Sequence, residues 1–94
     1  MGTTIHYTVK KWGDEKWWDK SANEVNKKYA KVVKEEAEPV RKTKFLKGSA
    51  DIGFPGYGFT KTYGIEPYHH AVKEMLNESK QHGFVLDVDD EKER

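Results

Sequence analysis

"KTKFLKGSADIG", residues 42–53, decides how many strands this chain contributes to a sheet. Leu46, Gly48, Ala50 and Ile52 alternate with Phe45, Lys47, Ser49 and Asp51, the two-residue period of a strand that something packs closely against. Pro55 and the glycines of "FPGYG" then supply a turn. Beyond it "YGFTKTYG" (57–64) resumes alternation, with Tyr57, Phe59, Lys61 and Tyr63 on one face and Gly58, Thr60 and Thr62 on the other. The two segments read as a hairpin.

Upstream, residues 3–10 place Ile5, Tyr7 and Val9 opposite His6, Thr8 and Lys10, a half-buried strand. "KWGDEKWWDK" reads as a loop carrying three tryptophans. Ser21 with Glu24 three residues on forms a capping box, so a helix is expected from 22 to 37, ended by Pro39. Downstream, Pro67 opens a second helix whose stripe is Tyr68, Ala71, Val72, Met75, Leu76 and Ser79, with Gly83 as its left-handed end. "FVLDV" (84–88) is a last strand, and 88–94 is an acidic, frayed end. The order strand-helix-strand-strand-helix-strand predicts a single α+β domain over 1–94. Its expected form is a ferredoxin-like βαββαβ sandwich: a four-stranded antiparallel sheet with two helices on one face and the other face bare.

Ninety-four residues suffice for one modest core. Hydrophobic residues are 35% of the chain and aromatics 13%, so burial relies on a few large rings. That need favours Tyr57, Phe59 and Tyr63 turned inward with the threonines outward. A net charge of +1 exerts no global pull on nucleic acid or acidic membranes. Cysteine is absent, which removes disulfides and thiolate chemistry, and no apolar run suits a signal peptide or a membrane span. A soluble cytoplasmic protein is expected.

Four features compete as sites. Gly56, Tyr57, Gly58 and Phe59 resemble the ribonucleoprotein octapeptide of RNA-recognition motifs, with Pro55, Thr60 and Thr62 departing from it. The resemblance implies single-stranded RNA or DNA stacked on Tyr57 and Phe59 beside His6, with Lys61, Lys42, Lys44 and Lys47 on phosphates. Trp12, Trp17 and Trp18 form an anchor patch for a protein partner. His70 and Glu74, four apart, could meet His6 or Asp51 around a metal, but two ligands do not make a site. His6, His69 and His70 would serve a small histidine-dependent enzyme only by converging in one pocket.

The expectation is a binding module with no catalytic set, no metal and no cofactor, of inhibitor or adaptor type. It engages a protein through the tryptophan loop and the aromatic sheet face. Single-stranded nucleic acid is the alternative and histidine-dependent catalysis a further one. A homodimer through a free sheet edge is also among the expected states.

Overall fold

Ile5, Tyr7 and Val9 are all fully buried, and the strand that carries them, β1 (Thr4–Lys11), is the middle of the sheet. The computed structural model describes residues 3–49 and 53–93. Two further strands, β2 (Gly56–Lys61) and β3 (Val85–Asp90), flank β1 in the order β2-β1-β3. Both pairings are antiparallel, with Tyr7 opposite Gly58 on one side and Val88 on the other. Among the described residues the fold is therefore α+β with a three-stranded sheet and four helices, and the four-stranded ferredoxin-like sandwich is overturned.

The difference lies in residues 42–53. Thr43–Gly48 form a short helix in place of a strand, while Ala50, Asp51 and Ile52 lie outside the described residues. Helix spacing wins because Thr43 and Leu46, three apart, are the two buried positions. Asp19 fixes the first turn, accepting from the Thr43 amide at 2.9 Å and from its hydroxyl at 3.1 Å.

The first long helix also starts earlier than the capping box at Ser21 implies. α1 (Glu15–Lys28) begins after Asp14, whose side chain accepts from the amides of Lys16 and Trp17 at 3.1 and 3.2 Å. Trp17 and Trp18 of the supposed loop thus lie in its first turn, Trp12 stays in the link before it, and Trp18, Ala22, Val25 and Tyr29 continue one inward stripe. The chain breaks at Tyr29 and resumes as α2 (Ala30–Glu35). In chain order the Thr43–Gly48 helix is α3, and α4 (Tyr68–Glu78) follows β2. α4 buries Tyr68, Val72, Met75 and Leu76 on the stripe its sequence predicts. After the 3₁₀ turn Ser79–His82, Gly83 adopts φ 90° and ends the element as a left-handed residue.

One core results, formed by the inner face of the sheet with Trp18, Ala22, Leu46, Tyr68, Val72, Met75, Leu76 and Phe84. Thr60 of β2 and Thr62 just beyond it point into this core and are fully buried, while Tyr57 and Phe59 stand half-buried on the reverse face. The expectation of rings inward and hydroxyls outward is reversed, because a ring on the inner face of β2 would meet Tyr7. A Cβ on Gly58 would already lie 2.3 Å from Leu46 Cδ2 and 2.6 Å from Tyr7 Cε2. No helix of the described residues is long and apolar enough to cross a membrane.

Gly58→Ala is predicted to cost about 1–3 kcal/mol by overpacking, read as a lower urea midpoint. Gly48→Ala, whose Cβ meets nothing within 4 Å, serves as the neutral control. Equal midpoints for both variants would show that the Tyr7–Gly58 contact does not limit the fold.

Candidate binding face

Residues of one parity on each strand share the helix-free face: His6, Thr8 and Lys10 from β1, Tyr57, Phe59 and Lys61 from β2, and Asp87 and Asp89 from β3. Three rings gather at its centre. The His6 centroid lies 6.4 Å from that of Tyr57 and 6.4 Å from that of Phe59, and Tyr57 and Phe59 are also 6.4 Å apart. Such spacing is within the range of favourable ring pairs.

A hydrogen-bond chain orders the patch. The Glu91 carboxylate can only accept, so His6 donates from Nε2 to Glu91 Oε2 at 2.9 Å. Its Nδ1 meets the Tyr57 hydroxyl at 2.8 Å. Glu91 is itself held by the Thr4 amide, 3.0 Å from Oε1. At the other side Arg41 lays its guanidinium 4.0 Å from the Phe59 ring centre. Charges of both signs rim the rings: Arg41, Lys10 and Lys61 against Asp87, Asp89 and Glu91, with Lys10 and Asp87 paired at 2.9 Å. His6 and Tyr57, with Thr8 and Asp87, also line a shallow pocket of about 310 Å³.

The tryptophans do not stand together as a free patch. Trp18 is fully buried, and its indole N–H donates to the Arg41 carbonyl at 2.9 Å. Trp12 and Trp17 are half-buried against the core. Trp17 stacks on His82 with centroids 4.2 Å apart and planes 11° from parallel, and Trp12 meets Phe84 edge-on. Among the lysines assigned to phosphate, Lys47 pairs with Glu15 at 2.6 Å and lies over Trp12. Lys42 and Lys44 line a different cleft from the sheet face.

The histidines are not brought together. His69 is buried on the opposite side of the sheet from His6, its Nε2–H donating to Asp90 Oδ2 at 2.9 Å. Its Nδ1 meets the Thr62 hydroxyl at 2.5 Å, and the Gly64 amide donates to that same hydroxyl oxygen at 3.2 Å. His70 is exposed and pairs with Glu74 at 2.8 Å. Asp51 lies outside the described residues, and among those described no three His, Asp or Glu side chains are placed to hold a metal.

The Thr62–His69–Asp90 chain has the makeup of a catalytic triad, but all three members are buried, so no substrate reaches its hydroxyl. Its role is to fasten the end of β3 to α4, helped by Lys73 Nζ at 3.1 Å from Asp90. The alternation of the β2 segment placed Thr62 on one side, but the acidic end hid Asp90 and Glu91. Neither carries a motif, and only the register of β3 shows which face each meets.

Compared with known proteins, the sequence matches no family model, no curated protein and no solved structure.

Burial pushes the Asp90 carboxyl up, but hydrogen bonds from His69, the Lys92 amide and Lys73 outweigh it and hold the group below its ordinary 3.8. A carboxyl more acidic in the folded state contributes its full stability above the unfolded value, and loses it as pH falls through the folded value. Asp90→Asn is predicted to be about 3 kcal/mol less stable at neutral pH. Its urea midpoint should also fall less than that of the unaltered protein between about pH 4 and pH 2. Parallel declines in the two proteins would show that this carboxyl is not what acid titrates.

Proposed function

We propose that this chain is a cytoplasmic binding module that takes a protein partner on the helix-free face of its sheet. His6, Tyr57 and Phe59 form the contact centre, while Trp12 and Trp17 pack against the core on the other side of the sheet. One observation carries the reading: three half-buried rings in mutual contact within a rim of balanced charge. Aromatic side chains that are already ordered lose little conformational freedom on association, which is why they dominate interface energetics. Acidic groups along β3 and basic ones on β1, β2 and Arg41 suit a mixed-charge protein surface and fix its register. Trp18 supports the module from within the core and takes no part in contact.

A second reading, single-stranded RNA or DNA, is favoured by Arg41 stacked on Phe59 next to Lys61. Against it stand Asp87, Asp89 and Glu91 on the same face, which would repel a phosphate backbone crossing β3. Self-association through the β3 edge is opposed by the same acids, since an antiparallel second copy would set carboxylates against one another.

Partners captured on the protein should be purified and titrated back against Tyr57→Ala, Phe59→Ala and Trp17→Ala variants. Tyr57→Ala and Phe59→Ala are predicted to raise Kd at least about tenfold, and Trp17→Ala to have a smaller effect. A partner bound equally well by all three variants would overturn the proposal. Salt-sensitive quenching of aromatic fluorescence by oligonucleotides, lost in Tyr57→Ala, would move the assignment to the second reading.

A further inference from the structure

The two edges of the sheet end differently. Beside β2 the segment that starts at Glu38 is pinned: the Glu38 amide donates to the Lys61 carbonyl at 2.9 Å, and the Tyr68 hydroxyl donates to the Glu38 carbonyl at 2.6 Å. Asn26 clasps Val40 through both its amide oxygen and its amide nitrogen, at 2.8 and 3.1 Å. β3 has β1 on one side and, among the described residues, no strand on the other. Its pairing with β1 is regular from Leu86 to Asp90, the irregularity lying between Val9 and Lys11. Half of the backbone amides and carbonyls of such an edge point outward, a ladder ready for an added strand.

The two faces of that edge differ in chemistry. On the core side Leu86 and Asp90 are buried, yet Val88 between them is 43% exposed. With Leu76 of α4 it lines a groove of about 390 Å³ between that helix and the strand. The lining's charges are largely matched within the chain, His70 by Glu74 and Lys73 by Asp90 and Glu93. Lys80, the remaining cation of the lining, lies on this core side. On the helix-free side the edge carries Asp87 and Asp89, opposite Thr8 and His6. Asp87 meets Lys10 at 2.9 Å, but both side chains are well exposed. Such a pair contributes little, and a carboxylate accepts from more than one donor.

We propose that the β3 edge adds an extended segment of a protein partner in which basic residues alternate with apolar ones. The added strand lies about 4.8 Å from β3. Its period of two sends the apolar side chains to the core side, over Val88 and into the groove, and the lysines or arginines to the helix-free side, beside Asp87 and Asp89. Backbone bonds supply an affinity common to any strand, and the pattern of side chains supplies the choice. Charges on an edge discourage indiscriminate pairing and admit the chain whose own charges neutralise them. An acidic segment meets repulsion there, as does a second copy of β3. This site lies beyond the aromatic rings and does not depend on the partner proposed for them.

The test is titration of the full chain at low salt with a capped heptapeptide of alternating lysine and valine, read by ¹H–¹⁵N shifts and by amide hydrogen exchange. Saturable binding is expected, with shifts centred on residues 85–90 and slowed exchange of the β3 amides. An alternating glutamate–valine peptide, a lysine–valine peptide of the same composition arranged in blocks, and the alternating peptide methylated at its backbone nitrogens are each expected to bind at least about tenfold more weakly. Asp87→Asn with Asp89→Asn is expected to weaken the lysine–valine peptide at least about tenfold and to flatten its salt dependence. Val88→Ser should weaken it with the salt dependence kept, and Tyr57→Ala should leave it unchanged, so that this edge and the aromatic face are tested apart. No saturable binding, equal binding of the block peptide, an affinity untouched by the paired asparagine substitutions, or shifts confined to the aromatic face would each overturn the assignment. So would a free protein that dimerises with its β3 amides already protected, since a second copy would then hold the edge.

Discussion

The ring of Tyr7 sets the terms for the whole molecule. It sits fully buried on the central strand, 5.8 Å from Trp18 and directly across from Gly58. Because its ring and Leu46 fill the volume over β2, the inner positions of that strand are held by Gly56, Gly58 and Thr60. A buried phenol also needs a polar partner, and the Thr60 hydroxyl provides it at 3.2 Å. Burial raises the Tyr7 pKa to about 12 even against that bond and the nearby Arg41 charge, so the hydroxyl is neutral throughout the physiological range. The large rings of β2 then have one place left, the reverse face. The aromatic patch is a consequence of how the core is filled.

The end of the chain is held by a division of labour between two neighbouring acids. At the last residue of β3, Asp90 enters the core side and meets His69, Thr62's partner, while Glu91 turns to the helix-free side and meets His6. Each histidine meets its acid through Nε2 and a hydroxyl through Nδ1, Thr62 inside and Tyr57 outside. The inner chain is buried and serves stability. The outer one is accessible, His6 and Glu91 each having about 30% of the side chain exposed, and it holds Tyr57 in a single orientation on the contact face. Pre-ordering of that kind lowers the entropy lost when a partner binds.

Much of this was legible from periodicity. The strands around Tyr7 and Phe59 and the stripe of α4 follow from spacings of two and of three to four, and Gly83 ends its element as a glycine of that kind should. Residues 42–48 were not legible, since Leu46 and Gly48 satisfy a strand's alternation as well as a helix's turn. What tips the balance is Asp19, twenty-four residues away, capping Thr43. The position of Trp17 and Trp18 is not legible for a related reason: Asp14 caps a helix that the Ser21–Glu24 pair is also able to start, and propensity alone does not rank two caps. The inward turn of the threonines was hidden because it depends on the size of a side chain on another strand.

The two sheet edges show why an irregular segment is useful where a fourth strand was expected. β3 presents its free edge with Asp87 and Asp89, charges that discourage pairing with another chain. β2 is covered differently: one backbone bond from Glu38 to Lys61 guards the edge, and Arg41 folds its side chain onto Phe59. A regular strand in that position would commit its amides and carbonyls to a ladder and send its side chains alternately to the two sheet faces. Held instead by side chains of α1 and by Tyr68, the segment sets Glu38, Arg41 and Lys42 around one cleft while Arg41 still reaches the sheet face. The same departure from regular pairing that reduced the sheet to three strands thus gives the molecule a second concave surface, chemically distinct from the aromatic one and joined to it through a single arginine.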